Sequence, residues 1–495
     1  MTDSTRRIGT PVVDSGGATM HDRIERAHHA FELSRRATPA DRQRWLEAIA
    51  DGLDADAEEL ITLARHESRL PEARLRGELI RTAFQLRLLG AEAKRGEPLD
   101  PTIDHADRDW GMGPRPDIRR VNQPLGVVAV FGASNFPFAF SVIGGDSAAA
   151  LAAGCSVVHK AHSAHPRLAR RTAETVIEAL RLARAPDGLF ALVSGFRIGE
   201  ALVEHPLVQA VAFTGSTRGG RALFDRIAGR PQPIPFFGEL GSTNPVFVAP
   251  AAWAARREEI VRGFLASVTG SVGQLCTKPG FLIVPRDPSI AAPLTSAGAD
   301  LTAGEMLTPH LRDAFRTSVA DFHRLPASRV LLDAQSRLDD AEAATLFAIT
   351  AEALLAEPEI LQREMFGPAS VVVEYSHPGQ LIELAKAVDG QLTAGIHADA
   401  EDDVHDLARV LAEKAGRLVW NAWPTGVTVS YAQQHGGPYP ATTASGTTSV
   451  GTGAVRRFLR PVAYQGFPET ELPEPLRESN PWGLRRRIDG EWVDP

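Results

Sequence analysis

The chain has 495 residues, of which 43% are hydrophobic and 23% charged, and its formal net charge is −8. These proportions are typical of a globular protein with two or three domains. The acidic balance argues against the basic surface that nucleic-acid-binding proteins need. The opening residues lack the apolar core of a secretory signal, and no run of about 18 apolar residues is present to span a membrane. We therefore predict a cytoplasmic α/β protein that binds neither nucleic acid nor membrane.

Residues 20–95 carry apolar residues at three- and four-residue spacing, which predicts helices that end at Gly96. Residues 99–120 are polar and rich in turn formers, so we predict a protruding segment. From residue 125 to 240 predicted strands such as LGVVAVF and VQAVAFT alternate with helical segments, FSVIGGDSAAALAAG among them. Such alternation gives a parallel sheet whose ligands bind beyond the carboxyl ends of the strands.

The chain contains two cysteines, which are too few for a disulfide framework and lack the spacing of a zinc site, so we predict no metal centre. Cys155, between a predicted helix and a strand in AAGCSVV, is predicted to be a structural core residue. Cys276 instead lies in SVGQLCTKPG, among small, polar and turn-forming neighbours. This setting indicates a thiol that a substrate must reach.

A glycine-rich turn follows the fourth predicted strand of the alternating region. FTGSTRGG places Gly215 and Gly220 where a helix begins, and backbone N–H groups in such a turn can bind a pyrophosphate. The spacing is also common at ordinary strand-to-helix turns, and the G-x-G-x-x-G fingerprint is absent from the first strand. The turn therefore indicates a nucleotide site only in combination with other motifs.

Four short motifs occur in a fixed order: Asn135 in SNFP, Glu239 in FGELGSTNP, Cys276 in GQLC and Glu364 in EMFGP. Together they resemble the NAD(P)-dependent aldehyde dehydrogenase superfamily, from about residue 20 to the tail. Within it, FGASNFPFAFSVIGGDSAAALAAGCSVVHKAHSAHP and HGGPYPATTASGTTSVGTGAVRRFLRPVAYQGFP are similar to α-ketoglutarate semialdehyde (2,5-dioxovalerate) dehydrogenases. NADP-linked fatty aldehyde dehydrogenases share part of this signature.

The resemblance implies an α/β fold in which a Rossmann-type cofactor domain is joined to an α/β catalytic domain and a small oligomerisation element. The implied boundaries are 1–98 and 121–238 for the cofactor domain, 239–424 for the catalytic domain, 425–456 for a loop segment that lines the site and returns to the cofactor domain, and 99–120 with 457–495 for the oligomerisation element and tail. Because an extended tail often pairs with a partner subunit's sheet, we expect a homodimer or homotetramer.

The resemblance also implies the chemistry: Cys276 attacks an aldehyde, a hydride passes to the nicotinamide, and the resulting thioester is hydrolysed. The Asn135 amide and the Cys276 N–H are the implied oxyanion donors, and Glu239 is the implied general base. Donors of this kind and the nicotinamide cation are expected to lower the thiol pKa. The mechanism does not require the histidines, which we predict to be non-catalytic: His159, His162, His165 and His435.

For the cofactor, the implied binding residues are Lys160, Ser163, Gly215, Ser216, Gly220, Glu364 and Phe366. Ser163 takes the position at which NAD-specific relatives place a glutamate that binds both ribose hydroxyls. Lys160, and Arg218 if it is not simply solvated, offer positive charge nearby. We therefore predict that NADP is preferred and NAD accepted.

The substrate is predicted to be a small oxo-acid aldehyde, α-ketoglutarate semialdehyde, which is oxidised to 2-oxoglutarate. Arg81 and Gln85 lie four residues apart on one helical face, and the corresponding superfamily helix lines the entrance together with Phe140 and Ile143. A structural ion pair is the alternative role for Arg81. A medium- or long-chain aldehyde is the alternative substrate.

Two other classes of protein remain as alternatives, a cofactor-free cysteine hydrolase and a non-catalytic nucleotide-binding protein. FTGSTRGG disfavours the first, and the intact set of four motifs disfavours the second. The chain departs from the family pattern in two places: the region between Cys276 and Glu364 is short, and Lys278 stands two residues after the thiol.

Overall fold

A computed structural model describes residues 19–195, 197–298, 304–334 and 341–495. Its N-terminal part is helical, as predicted, with α1 Met20–Ser34, α2 Pro39–Ala55, α3 Ala57–Ser68 and α4 Glu72–Arg95. Thr19 and Thr38 start α1 and α2 with capping boxes, in which a threonine and an aspartate three residues on satisfy free N–H groups. Gly96, at φ 69°, ends α4 in the left-handed conformation that glycine tolerates best.

A parallel sheet occupies the region of predicted alternation. Two strands of another sheet come first, β1 Thr102–Asp104 and β2 Ile118–Pro124. The elements of the parallel sheet region then follow in chain order: β3 Val127–Phe131, α5 Gly145–Ala153, β4 Ser156–Lys160, α6 Pro166–Leu182, β5 Phe190–Val193, α7 Ile198–Glu204, β6 Val208–Thr214, α8 Thr217–Ala228 and β7 Phe236–Glu239. The strand order is β5–β4–β3–β6–β7, with parallel pairing throughout. The ends of β4 and β6 thus bring Lys160 and the Gly215 turn to one edge, as predicted.

The helix predicted in FSVIGGDSAAALAAG begins later than the sequence pattern indicates, at Gly145. The preceding residues turn back on themselves, and the Ala133 N–H donates to the Phe140 carbonyl at 2.8 Å. A side chain at Gly144 would collide with the backbone of Ala139, so glycine is required at this close approach.

A second α/β unit follows. Its elements are β8 Val246–Val248, α9 Pro250–Thr269, β9 Phe281–Pro285, α10 Ala291–Gly298, β10 Gly304–Glu305, α11 Pro309–His323, β11 Arg329–Asp333, β12 Ala341–Glu342, β13 Thr345–Thr350, α12 Ala351–Ala356, β14 Ala369–Tyr375, α13 Gly379–Ala387, β15 Gln391–His397, α14 His405–Lys414 and β16 Ala415–Trp420. The main sheet has the order β11–β13–β14–β9–β8–β15–β16. Its strands pair in parallel apart from β11, which runs antiparallel to β13.

The C-terminal tail pairs with strands of its own chain rather than standing free for a partner. Its strands are β17 Leu459–Gln465, β18 Arg486–Ile488 and β19 Glu491–Val493. They complete a sheet of order β17–β2–β1–β18–β19. The polar segment 99–120, predicted to protrude, supplies β1 and the start of β2 to this sheet, and Leu99, Ile103 and Leu476 lie in its small core.

The structure also bears on the predictions for Cys155 and for membrane-spanning segments. Cys155 is fully buried in the core beside the first sheet, which confirms its structural assignment. Among the described residues, no helix combines the length and apolar character that crossing a membrane requires.

Candidate active site

The Cys276 thiol stands in the loop between α9 and β9. Ser271, Val272 and Gly273 precede it with φ of 53°, 55° and 64°, three consecutive residues in the left-handed region. A side chain at Gly273 would collide with the Gly367 backbone, and such non-glycine conformations persist only where the surroundings impose them. The Asn244 amide fixes the other side of the loop by donating to the Cys276 carbonyl at 2.8 Å.

Glu239, at the end of β7, points into the same space. Its Oε1 lies 2.9 Å from His435 Nε2, and its Oε2 accepts from the Ser449 hydroxyl at 2.6 Å. The Cys276 Sγ is 3.9 Å from the same His435 Nε2. A carboxylate oxygen of Glu239, the Sγ of Cys276 and a ring nitrogen of His435 all lie within 4.8 Å of one another. The structure thus links the predicted base to the predicted nucleophile through a buried imidazole.

The environment shifts the pKa of both groups. Burial raises the pKa of the Cys276 thiol well above its ordinary value, and the carboxylates of Glu239 and Glu364 raise it further. This direction is opposite to the expected activation, because negative neighbours oppose a thiolate. Burial also raises the pKa of Glu239, but His435 and Ser449 outweigh it and hold that pKa below its usual range. Glu239 therefore stays ionised, and Cys276 needs a proton acceptor.

Asn135 contacts the thiol loop and is only 7% exposed. Its Nδ2 donates to the Gln274 carbonyl at 3.0 Å, and Gln274 is in turn held by the Leu307 N–H, which donates to its Oε1 at 3.0 Å. An amide nitrogen carries two hydrogens, so one remains to donate elsewhere. The predicted oxyanion donor is thus adjacent to the loop that carries Cys276.

The predicted nucleotide-binding residues line the carboxyl edge of the first sheet. Ser216 caps α8, and its hydroxyl accepts from the Gly219 N–H at 3.2 Å. A side chain at Gly220 would collide with Leu240, so the helix start packs against the strand at this point. Lys160 is half-buried at the end of β4, and burial lowers its pKa. Ser163 is exposed beyond it. These residues would fit a dinucleotide, because the backbone N–H groups at the N-terminus of α8 are suited to binding phosphates.

Glu364 approaches this edge from the second domain. A Cβ added at Gly241 would stand 2.8 Å from Glu364 Oε2 and equally close to Thr217 Oγ1. Burial raises the pKa of Glu364 to about 7, and the charge of Lys278 opposes the shift. Lys278 is itself buried, donates from Nζ to the Ala369 carbonyl at 2.7 Å, and has its pKa lowered by burial to about 8. Phe366 is half-buried two residues after Glu364.

Two of the four predicted substrate residues, Arg81 and Phe140, lie beside the candidate site, and the Phe140 ring is 6.1 Å from the His435 ring. The Arg81 guanidinium stacks over Phe140, 5.3 Å from the ring centroid. Burial lowers the pKa of Arg81, whereas the charges of Glu78, Cys276 and Glu239 raise it. Gln85 is 1% exposed and has no hydrogen-bond partner for its amide among the described residues. Ile143, in contrast, lies in the core of the first domain.

His435, predicted to be non-catalytic, contacts both Glu239 and Cys276 through its Nε2. The other three histidines lie near Lys160, where burial lowers the pKa of His159 and His162 to about 3. The signal for His435 was its position before two glycines in a loop predicted to line the site. Gly436 and Gly437 both approach neighbouring backbone too closely for a side chain, which holds the imidazole inward.

Comparison with known proteins identifies the family of the chain. Residues 3–449 match the model of the aldehyde dehydrogenase family. The alpha-ketoglutaric semialdehyde dehydrogenase 2 of Azospirillum brasilense is 46% identical, over 94% of this chain and 90% of that protein. The alpha-ketoglutaric semialdehyde dehydrogenase of Acinetobacter baylyi is 41% identical, over 94% and 89%.

Solved structures resemble the chain in fold at lower identity. A mutant form of an aldehyde dehydrogenase from Bacillus cereus aligns with a TM-score of 0.76 at 21% identity, over 90% of this chain and 88% of that one. An NADP dependent enzyme from E. coli aligns with a TM-score of 0.74 at 23% identity, over 92% and 94%. The family match over residues 3–449 and the two relatives above 40% identity show that the chain belongs to the aldehyde dehydrogenase family.

Proposed function

We propose that the chain oxidises α-ketoglutarate semialdehyde to 2-oxoglutarate, using NADP or NAD as hydride acceptor. NAD(P)-dependent oxidation of an aldehyde is the reaction of its family. The observation that carries the chemistry is the contact of Cys276 with the His435–Glu239 pair, on a loop that also contacts the Asn135 amide. The names of the two relatives at 46% and 41% identity support the substrate.

The first step is attack of the Cys276 sulfur on the aldehyde carbon. The thiol, which is only half-buried, loses its proton to solvent water as the sulfur attacks, because His435 Nε2 already uses its hydrogen to donate to the ionised Glu239 carboxylate. The negative charge that develops on the aldehyde oxygen is stabilised by the free hydrogen of Asn135 Nδ2 and by the Cys276 N–H. The product of this step is a tetrahedral thiohemiacetal.

A bound nicotinamide supplies the hydride acceptor, and loss of the hydride leaves a thioester on Cys276. Glu239 then takes a proton from a water molecule, and the water oxygen attacks the thioester carbon. The carbon–sulfur bond breaks, the carboxylic acid leaves and the sulfur regains a proton. Because the pKa of Glu239 is held low, this carboxylate is available as a base at neutral pH.

The substrate proposal predicts a role for Arg81. A 2-oxo acid carries a carboxylate, and a guanidinium binds it with two parallel hydrogen bonds. We expect Arg81→Leu to raise KM for α-ketoglutarate semialdehyde by about 10- to 100-fold, while KM for pentanal, a neutral aldehyde of the same length, changes little. Steady-state kinetics with both aldehydes measure the difference. Arg87→Leu removes a more exposed arginine of the same helix and serves as the control; an equal loss for both substrates in Arg81→Leu would reject the role.

The cofactor proposal predicts a role for Ser163. A carboxylate at this exposed position would repel the 2′-phosphate of NADP, whereas a hydroxyl can donate to it. We expect Ser163→Glu to shift the ratio of kcat/KM values towards NAD by at least about tenfold. Ser163→Gln has nearly the same size without the charge and should shift it much less. A wild-type enzyme with far tighter binding of NAD than of NADP would contradict this role of Ser163.

We also infer a homodimer or homotetramer. β17 is an outer strand of the tail sheet. One of its edges pairs with β2, and the other edge has no strand partner among the described residues. Edge strands of this kind commonly pair with a second copy. Light scattering during gel filtration measures the mass directly, and a monomer at micromolar concentration would reject the inference.

A further inference from the structure

A row of polar side chains runs along the buried face of α4. Arg74, Glu78, Arg81 and Gln85 follow one another at spacings of four, three and four residues, which places them on one side of the helix. This side faces residues 135–145, the segment that carries Asn135. Burying charged groups is costly unless each finds a partner, so the partners of the first two residues indicate what this row does.

Arg74 contacts Asn135 directly. Its Nη2 donates to the Asn135 main-chain carbonyl at 2.7 Å, and the guanidinium lies over the Phe136 ring at 4.8 Å from the centroid. The carbonyl and the side-chain amide belong to one residue, so the bond fixes the backbone from which the Asn135 amide projects. The Gln274 carbonyl holds the other end of that residue, at Nδ2.

Glu78 binds the next part of the same segment. One carboxylate oxygen, Oε1, accepts from the N–H groups of Phe138 and Ala139 at 2.8 and 2.9 Å. The other, Oε2, lies 3.8 Å from Arg74 Nη2. Glu78 is only 5% exposed, and charge-assisted hydrogen bonds of this kind are among the strongest in proteins. The pair therefore holds the segment at residue 135 and again at residues 138–139.

We propose that Arg74 and Glu78 are positioning residues that preorganise Asn135 as an oxyanion donor. The proposal rests on the function proposed for Asn135. A donor lowers the barrier only if it already points at the place where charge develops, and a displacement of about 1 Å can cost about 100-fold in rate. Asn135 lies in a stretch of turns and has no regular element to hold it, so α4 supplies the rigid support.

A double-mutant cycle tests the proposal. We expect Asn135→Ala to lower kcat by about 10²- to 10³-fold and Arg74→Ala to lower it by about 10- to 100-fold, with little change in KM. If Arg74 acts through Asn135, the double variant is within about threefold of Asn135→Ala alone. Losses that multiply would overturn the proposal. Full activity in Asn135→Ala would instead overturn the proposed role of Asn135 itself.

Two further measurements separate positioning from general damage. Alkylation of Cys276 by iodoacetamide builds no oxyanion, so the alkylation rate should be unchanged in Arg74→Ala, and so should the affinity for NADP. A parallel loss of kcat, alkylation rate and NADP affinity would overturn the proposal. Arg76→Ala is the matched control, since Arg76 is exposed on the same helix and pairs with Glu58 and Glu72. If Arg74→Ala does not fold, the same double-mutant cycle is measured with Arg74→Lys, which keeps the charge beside Glu78.

Discussion

Cys276→Ala is expected to abolish aldehyde oxidation, with a loss of about 10⁵-fold or more, as when other covalent nucleophiles are removed. Without the sulfur no thiohemiacetal forms, and the hydride has no tetrahedral carbon to leave. Cofactor affinity should persist, because Lys160, Ser216 and Glu364 are untouched. Appearance of reduced nicotinamide measures the first effect, and calorimetric titration with NADP measures the second.

The other cysteine provides the control for this experiment. Cys155→Ala removes a thiol that is fully buried in the first domain and whose pKa burial raises to about 11. Its catalytic rate should be close to that of the wild type. Substantial turnover by Cys276→Ala would show that Cys276 is not the nucleophile.

Glu239→Gln should leave the first half of the reaction largely intact and stop the second. Glutamine keeps a side-chain oxygen for Ser449 or His435 but cannot accept the proton of water. We expect a burst of reduced cofactor that matches the number of sites, followed by turnover slowed by about 10²- to 10⁴-fold. Rapid mixing measures the burst, and mass spectrometry of the quenched protein detects the acyl group on Cys276.

Ser449→Ala is the companion variant. It keeps the carboxylate but removes the hydrogen bond to Oε2, which helps to hold the pKa of Glu239 low. Glu239 then becomes protonated at higher pH, so the acidic limb of the pH–rate profile should move upwards without a burst. Wild-type turnover in Glu239→Gln would contradict the general-base assignment.

Much of the fold follows from local sequence patterns. The alternation between residues 125 and 240 predicts a parallel sheet because apolar strands and amphipathic helices have different periods. The same patterns miss β1 and the start of β2, which lie in a polar segment and are held by the tail rather than by their own hydrophobicity. They also place the start of α5 too early, since the turns before Gly145 depend on backbone packing at Gly144.

The features of the candidate site likewise divide into those that a local motif reveals and those that only the folded chain reveals. Asn135, Glu239, Cys276 and Glu364 are recognisable because each lies in a short motif. The contact of His435 with Glu239 joins residues 196 positions apart along the chain, and no local pattern encodes it. The pKa of Cys276 is likewise set by neighbours from distant segments, so its direction could be found only in the folded chain.

The position of Glu239 has a consequence for how the site is assembled. It is the last residue of β7 in the first sheet, whereas Cys276 stands on a loop held by Asn244, just before β8 of the second sheet. The base and the nucleophile therefore stand on different sheets. Asn135, which follows β3 of the first sheet, is separated from Cys276 in the same way. Acylation and hydrolysis both use residues from the two sheets, so neither α/β unit carries a complete site by itself.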